Sequence, residues 1–202
     1  SIPGESVMEP PTNYLVGRLR RDLRSGQTQI GMMATSVNRD IADADLASRL
    51  RTSAYVVGMD FMHEWANRGW RVNGAVTSSY VAGSEAVMIR TQRSSARYFQ
   101  RPDASHFRVD STATSMGGYW GMFTLERQAG SVQGKVGLVA LSSGYEVNDM
   151  GFQTETGRYV IDNDFSFNRP RPGTFFRNWR VNGGPDLKWN SDGDLISSNF
   201  NA

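Results

Sequence analysis

The chain has 202 residues, a formal net charge of +2, 21 glycines and no cysteine, which excludes a disulfide framework and a thiolate metal site. Its 22 basic and 20 acidic residues are interleaved rather than gathered in a stripe, which argues against a nucleic-acid partner. Mean hydropathy is −0.47, and no run of about 18 apolar residues occurs, so no transmembrane helix is expected; a transmembrane β-barrel stays open, because its strands alternate lipid-facing and lumen-facing residues.

Residues 1–12 read as a polar, Pro-rich lead-in without a secretory leader, as in a mature form or a stretch starting inside a longer chain. Period-two alternation follows and keeps returning. Leu15, Gly17, Leu19 and Leu23 share one parity, and Arg18, Arg20, Asp22 and Arg24 the other. Ser25-Gly26 signals a turn, and Ile30, Met32 and Ala34 form the next apolar face. A polar, helix-prone insertion spans about 38–52.

The third strand sets Tyr55, Val57, Met59 and Phe61 against Gly58, Asp60 and Glu64, and Asn67-Arg68-Gly69 closes a hairpin. The fourth sets Trp70, Val72, Gly74, Val76 and Tyr80 against Arg71, Asn73, Thr77 and Ser79, with an aromatic at each end of its apolar face. A long insertion covers about 82–115. Tyr119, Gly121, Phe123 and Leu125 form a fifth apolar face, and Val132 to Ala140 a sixth after an Ala129-Gly130 turn. An insertion at about 143–157 leads to a seventh strand with Tyr159, Ile161, Phe165 and Phe167 opposite Asp162, Asp164 and Asn168. Phe175 to Val181 reads as the eighth strand, Gly183-Gly184-Pro185 as a turn-rich stretch, and Ile196 to Phe200 as a last short strand.

Connections alternate short and long, as periplasmic turns and extracellular loops do in outer-membrane barrels. The expected fold is therefore all-β: an antiparallel up-and-down transmembrane barrel region over 1–202. Eight or nine strands are visible, so a larger barrel is expected to include the remainder of a longer chain.

Several segments carry a family resemblance: Gly144-Tyr145-Glu146-Val147-Asn148-Asp149-Met150-Gly151-Phe152-Gln153, the run from Gln92 to Asp103, Trp189-Asn190-Ser191-Asp192-Gly193-Asp194, Val16 to Asp22, and Asp60 to Arg68. Together they resemble a bacterial C-terminal outer-membrane β-barrel domain of unknown function, which usually follows a family-9-type carbohydrate-binding module. The resemblance spans nearly the whole chain. It implies an outer-membrane location, lipid as a partner and a possible glycan link, and it supplies no catalytic residue.

Chemistry-bearing constellations are sparse. His63-Glu64 lacks the second histidine of a zincin helix, since Asn67 occupies that position, and the other histidine is His106, in a long insertion. No nucleophile elbow occurs. Asp60 and Glu64 share a parity but lie roughly 13 Å apart along a strand, too far for glycoside hydrolysis; Asp162 and Asp164 lie nearer and read as lumen filling. Asn190 with Asp192-Gly193-Asp194 reads as an Asx turn rather than a calcium loop. No catalytic set, metal site or cofactor is expected. The lumen binding candidates are Arg18, Arg20, Asp22, Arg71, Asp60 and Glu64, and the loop candidates are Arg93, Arg97, Tyr98, Glu146, Asn148 and Asp149. The function expected is an outer-membrane pore or scaffold, with a tie to carbohydrate handling that the resemblance implies. The alternatives are a soluble β-sandwich that binds glycans or proteins and a hydrolase built from the loops.

Overall fold

A computed structural model describes residues 9–101, 107–169 and 174–201. They form nine strands: β1 (Thr12–Leu23), β2 (Thr28–Arg39), β3 (Ser53–Trp65), β4 (Trp70–Ala82), β5 (Ser115–Arg127), β6 (Val132–Leu141), β7 (Arg158–Arg169), β8 (Trp179–Asn190) and β9 (Leu195–Asn201). Two short helices, α1 (Ala44–Arg49) and α2 (Glu85–Gln92), lie in the connections after β2 and β4. Each strand pairs antiparallel with its sequence neighbour, in the order β1 to β9, as one up-and-down sheet. The sheet is open: among the described residues β1 and β9 do not pair with each other.

At one end the turns after β1, β3 and β5 are tight. Arg24, Ser25 and Gly26 take φ of 52°, 54° and 83°, and Ala66, Asn67 and Arg68 take 51°, 55° and 62°. The left-handed region suits Gly26 and Asn67 and costs the other side chains more. Arg24 therefore sits in the turn and leaves the polar face on which strand alternation had set it. At the opposite end lie the longer connections; α2 covers Val37, Ala54 and Val81, and the segment 142–157 lies on β4 and β5.

The eighth strand corrects the sequence reading. It begins at Trp179 and runs straight through Gly183-Gly184-Pro185. A Cβ on Gly184 would collide with the backbone of Asn163, so this glycine serves a close approach of strands rather than a turn. Pro185, which has no N–H to give, accepts from Asn163 Nδ2 at 3.0 Å.

Register shows the sheet to be sheared. Paired positions run from Leu19 through Met32, Met59, Val76, Gly121, Ala140 and Tyr159 to Trp189. The path starts near the tight-turn end of β1 and finishes at the far end of β8, the stagger that tilted barrel strands require.

The two faces differ in character. One bears Leu19, Ile30, Val57, Met59, Val76, Phe123, Leu138 and Phe165, all exposed. The other is polar, and on it sits the only buried apolar cluster found among the described residues. Val37, Ala54 and Val81 of β2–β4 are covered there by Val87 and Met88 of α2. Ser84 caps α2, and its hydroxyl also donates to Ala47 O at 2.6 Å, tying α2 to α1. Total accessible surface is 13115 Å², against about 9,400 Å² for a compact soluble monomer of 22.4 kDa. An open sheet, on whose apolar face no second sheet packs among the described residues, exposes more than a compact globule does.

Candidate functional site

The polar face carries a ladder of ion pairs near the tight turns. Arg18 of β1 donates to Asp60 of β3 at 2.7 Å, reaching across Gly31 of β2. A Cβ on Gly31 would strike both the Asp60 carboxylate and the Arg18 guanidinium, so the missing side chain makes room for the bridge. Arg20 donates to Gln29 and lies 3.7 Å from Asp22. Glu64 accepts from Arg71 at 2.5 Å and lies 3.4 Å from Arg68, while Arg71 lies 3.8 Å from Glu126. Lys135 of β6 pairs with Asp162 of β7. Arg18, Arg71 and Lys135 each reach an acid on another strand of the sheet, whereas Arg20 meets Asp22 on its own strand. Between β5 and β9 this face opens into a polar cavity of about 740 Å³ lined by Glu126, Lys135, Asp164, Arg180 and Asn182.

At the other end the three long connections converge on a buried cluster. Glu146, whose side chain is 1% exposed, accepts from Arg97 at 2.7 Å and from Arg51 at 3.0 Å. Asp149 accepts from Arg51 at 2.6 Å and from Arg39 at 2.8 Å. The cluster thus holds three guanidiniums, Arg39, Arg51 and Arg97, against two carboxylates, Glu146 and Asp149. It joins the end of β2 to all three connections. Burial lowers the Arg97 pKa, Glu146 opposes that shift, and the neighbouring charge of Arg51 adds to it.

The connection at 142–157 is seated on the sheet by backbone. Glu146 N donates to Ser79 Oγ at 2.9 Å, and Thr77 Oγ1 and Tyr145 OH are 2.6 Å apart. A side chain on Gly118 would collide with the backbone of Tyr145, so glycine is what lets the connection lie flat on β5. Arg97 NH2 also donates to Tyr145 O. Asn148 receives Gln153 N on its Oδ1 at 2.7 Å and gives its own N–H to Glu146 Oε1 at 2.7 Å. Together these bonds fold the segment into a plug over the polar face.

Residues 4–201 match the model of a family described as domain of unknown function DUF5916. The chain belongs to this family. No curated protein and no solved structure matches it. The description of DUF5916 names no substrate or partner.

In this DUF5916 chain all six lumen candidates, Arg18, Arg20, Asp22, Asp60, Glu64 and Arg71, stand on the polar face, and all six are in ion pairs. Of the loop candidates, Arg97, Glu146 and Asp149 meet in the buried cluster, and Asn148 shapes the turn beside it. Arg93 and Tyr98 stay exposed outside it. Arg39, Arg51, Ser79 and Thr77 were not singled out from sequence. Two are arginines at the edges of an insertion and two are hydroxyl residues on a strand, and nothing in their local pattern marks a long-range partner. His106 and the Pro102-Asp103 pair of the resemblance motif lie outside the described residues.

Geometry also bears on chemistry. His63 stacks on Trp65 on the apolar face, whereas Glu64 points to the polar face, so the two neighbours cannot share a metal ion. Glu146 is enclosed by guanidiniums and reaches almost no solvent, which suits an anchor rather than a general acid. Asn190 Oδ1 accepts from Asp192 N and Asp194 N at 2.9 and 2.8 Å, an Asx turn with Gly193 at φ 89°.

Proposed function

We propose that this chain is part of the wall of an outer-membrane β-barrel and serves as a membrane scaffold for carbohydrate handling. One observation carries the membrane reading: across β3 to β8 the apolar face is an uncharged band between two rows of aromatics. Tyr55, Tyr80, Tyr119, Tyr159 and Trp189 stand toward the long connections, and Trp65, Trp70, Phe167 and Trp179 toward the tight turns. Between these rows β3 to β8 place no Asp, Glu, Lys or Arg on that face. Tyr55 and Trp65 are ten residues apart on β3, roughly 33 Å along a strand and roughly 25 Å in height at the tilt of barrel strands. That height is the apolar band of an outer-membrane barrel. In water the same face would be an aggregation surface.

The plug supports a scaffold over an open pore, since the long connections fold back across the polar face instead of leaving it clear. The unpaired edges of β1 and β9 call for further strands, because lipid cannot satisfy open edge groups. The carbohydrate part rests on the family resemblance alone. Long connections would then lie outside the cell and tight turns on the periplasmic side.

Expression with native flanking sequence, followed by membrane fractionation and gel migration of unboiled and boiled samples, tests the reading. Recovery in the outer membrane with heat-modifiable migration is the expected result. Recovery as a soluble, unshifted monomer would overturn it and favour a soluble glycan- or protein-binding module.

A further inference from the structure

A second cavity lies beside the plug, away from the Arg39–Asp149 contact. Its volume is about 230 Å³, and Arg97, Arg101, Phe99, Phe107, Arg158 and Lys188 line it with Glu155. That is below the usual range for drug-sized ligands and limits an occupant to about one ring with its substituents.

Two ion clusters meet at this cavity, and each carries more cation than anion among the described residues. Glu155 Oε2 accepts from Lys188 at 2.7 Å and also from Arg158, so one carboxylate faces two cations. Arg97 belongs to the plug cluster, where Arg39, Arg51 and Arg97 face Glu146 and Asp149. The Nε atoms of both Arg97 and Arg158 are buried without an acceptor. The Arg97 side chain is 1% exposed, so bulk water does not supply that acceptor. An unpartnered buried guanidinium N–H is costly, and an anion beside it would lower that cost. Phe99 and Phe107 stack at 5.2 Å between centroids and form an apolar wall beside the cations.

We propose that this cavity binds a small organic anion, a carboxylate carried on a six-membered ring. Arg158 and Lys188 hold the carboxylate, Arg97 sets the positive field behind them, and the Phe99–Phe107 wall takes one face of the ring. Sugar acids and aromatic acids share this chemistry. The site does not depend on the membrane reading, because it is built from the connections and the adjoining ends of β7 and β8.

The test is calorimetric titration of the folded full chain with glucuronate, benzoate and glucose at low salt. At least one of the two carboxylates should bind at one site per chain, with affinity falling as salt rises, while glucose does not bind. Lys188→Met should weaken binding about tenfold, the loss of one charge-assisted bond. Arg158→Met should do the same, and unchanged circular dichroism shows that each variant is folded. Glucuronate without benzoate assigns a sugar acid; benzoate without glucuronate assigns an aromatic acid. Absence of binding by either carboxylate at millimolar concentration would overturn the proposal. So would glucose binding as tightly as glucuronate, or equal affinity in both folded variants.

Discussion

Glu146 has its carboxylate between Arg51 and Arg97 with almost no solvent contact. Replacing it with an isosteric amide keeps the shape but takes from buried Arg97 the carboxylate that pairs it, while Arg51 keeps Asp149. Glu146→Gln is therefore expected to cost about 3–5 kcal/mol in urea unfolding, because one partner of a buried pair is lost while the other charge remains. Trypsin should then cut within 83–114 and 142–157, the segments that the cluster holds. Glu155 is a milder case. The hydrogen bond from Lys188 holds its carboxyl below the ordinary value of 4.5, with Arg158 acting in the same direction against some desolvation. Its folded pKa is depressed, so its contribution is present above the ordinary value and is lost as pH falls through the depressed one. The stability difference between native protein and Glu155→Gln should be constant at neutral pH and vanish on acidification below that range, as followed by denaturation at a series of pH values. With a carboxylate about half exposed, screening keeps this difference small.

Among the strands and connections, glycine positions separate structural demand from mere tolerance. Gly118 lies against the backbone of Tyr145, which cannot yield as a side chain can, whereas Gly17 has nothing within 4 Å. Gly118→Ala should lift the 142–157 connection off β5 and expose Glu146 N, which is bonded to Ser79 Oγ. Faster hydrogen exchange at Glu146, with a loss of about 1–3 kcal/mol, is the expected outcome. Gly17→Ala should leave both unchanged. Gly74 and Gly134 play another part: the rings of Phe61 and Phe165 on the neighbouring strands lie over them, so an aromatic from one strand fills the gap left on the next.

For the molecule as a whole, the decisive contrast is between two faces of one sheet. Val76 stands near the middle of the uncharged band, paired with Met59 and Gly121. If lipid covers the band, Val76→Arg should lower folding stability in lipid vesicles by about 2–4 kcal/mol, as charges do near the midplane of a barrel. Asn73→Arg, on the polar face three residues away, should cost far less. Equal effects of the two substitutions would remove lipid as the partner of the apolar face. The sheared register adds support, since the drift from Leu19 to Trp189 is what closure into a barrel demands.

How much of this was legible in the sequence follows from the range of the forces involved. Side chains alternate with period two on any strand, so the residues alone pointed to eight or nine antiparallel strands, to most of their faces and to the hairpins at Gly26, Asn67 and Gly130. They also placed Arg18, Asp60, Glu64 and Arg71 on the polar side. Local signals misled where a residue serves a distant neighbour: Gly184-Pro185 reads as a turn, yet Gly184 is a glycine because Asn163 crosses it. The plug lay beyond reach for the same reason. Arg39 and Asp149 are 110 residues apart, and Arg97 and Tyr145 are 48 apart, with no periodicity linking them. Only tertiary structure decided that three connections fold inward and share their charges, because a buried ion pair is set by where the chain returns in space and leaves no mark on the residues beside it.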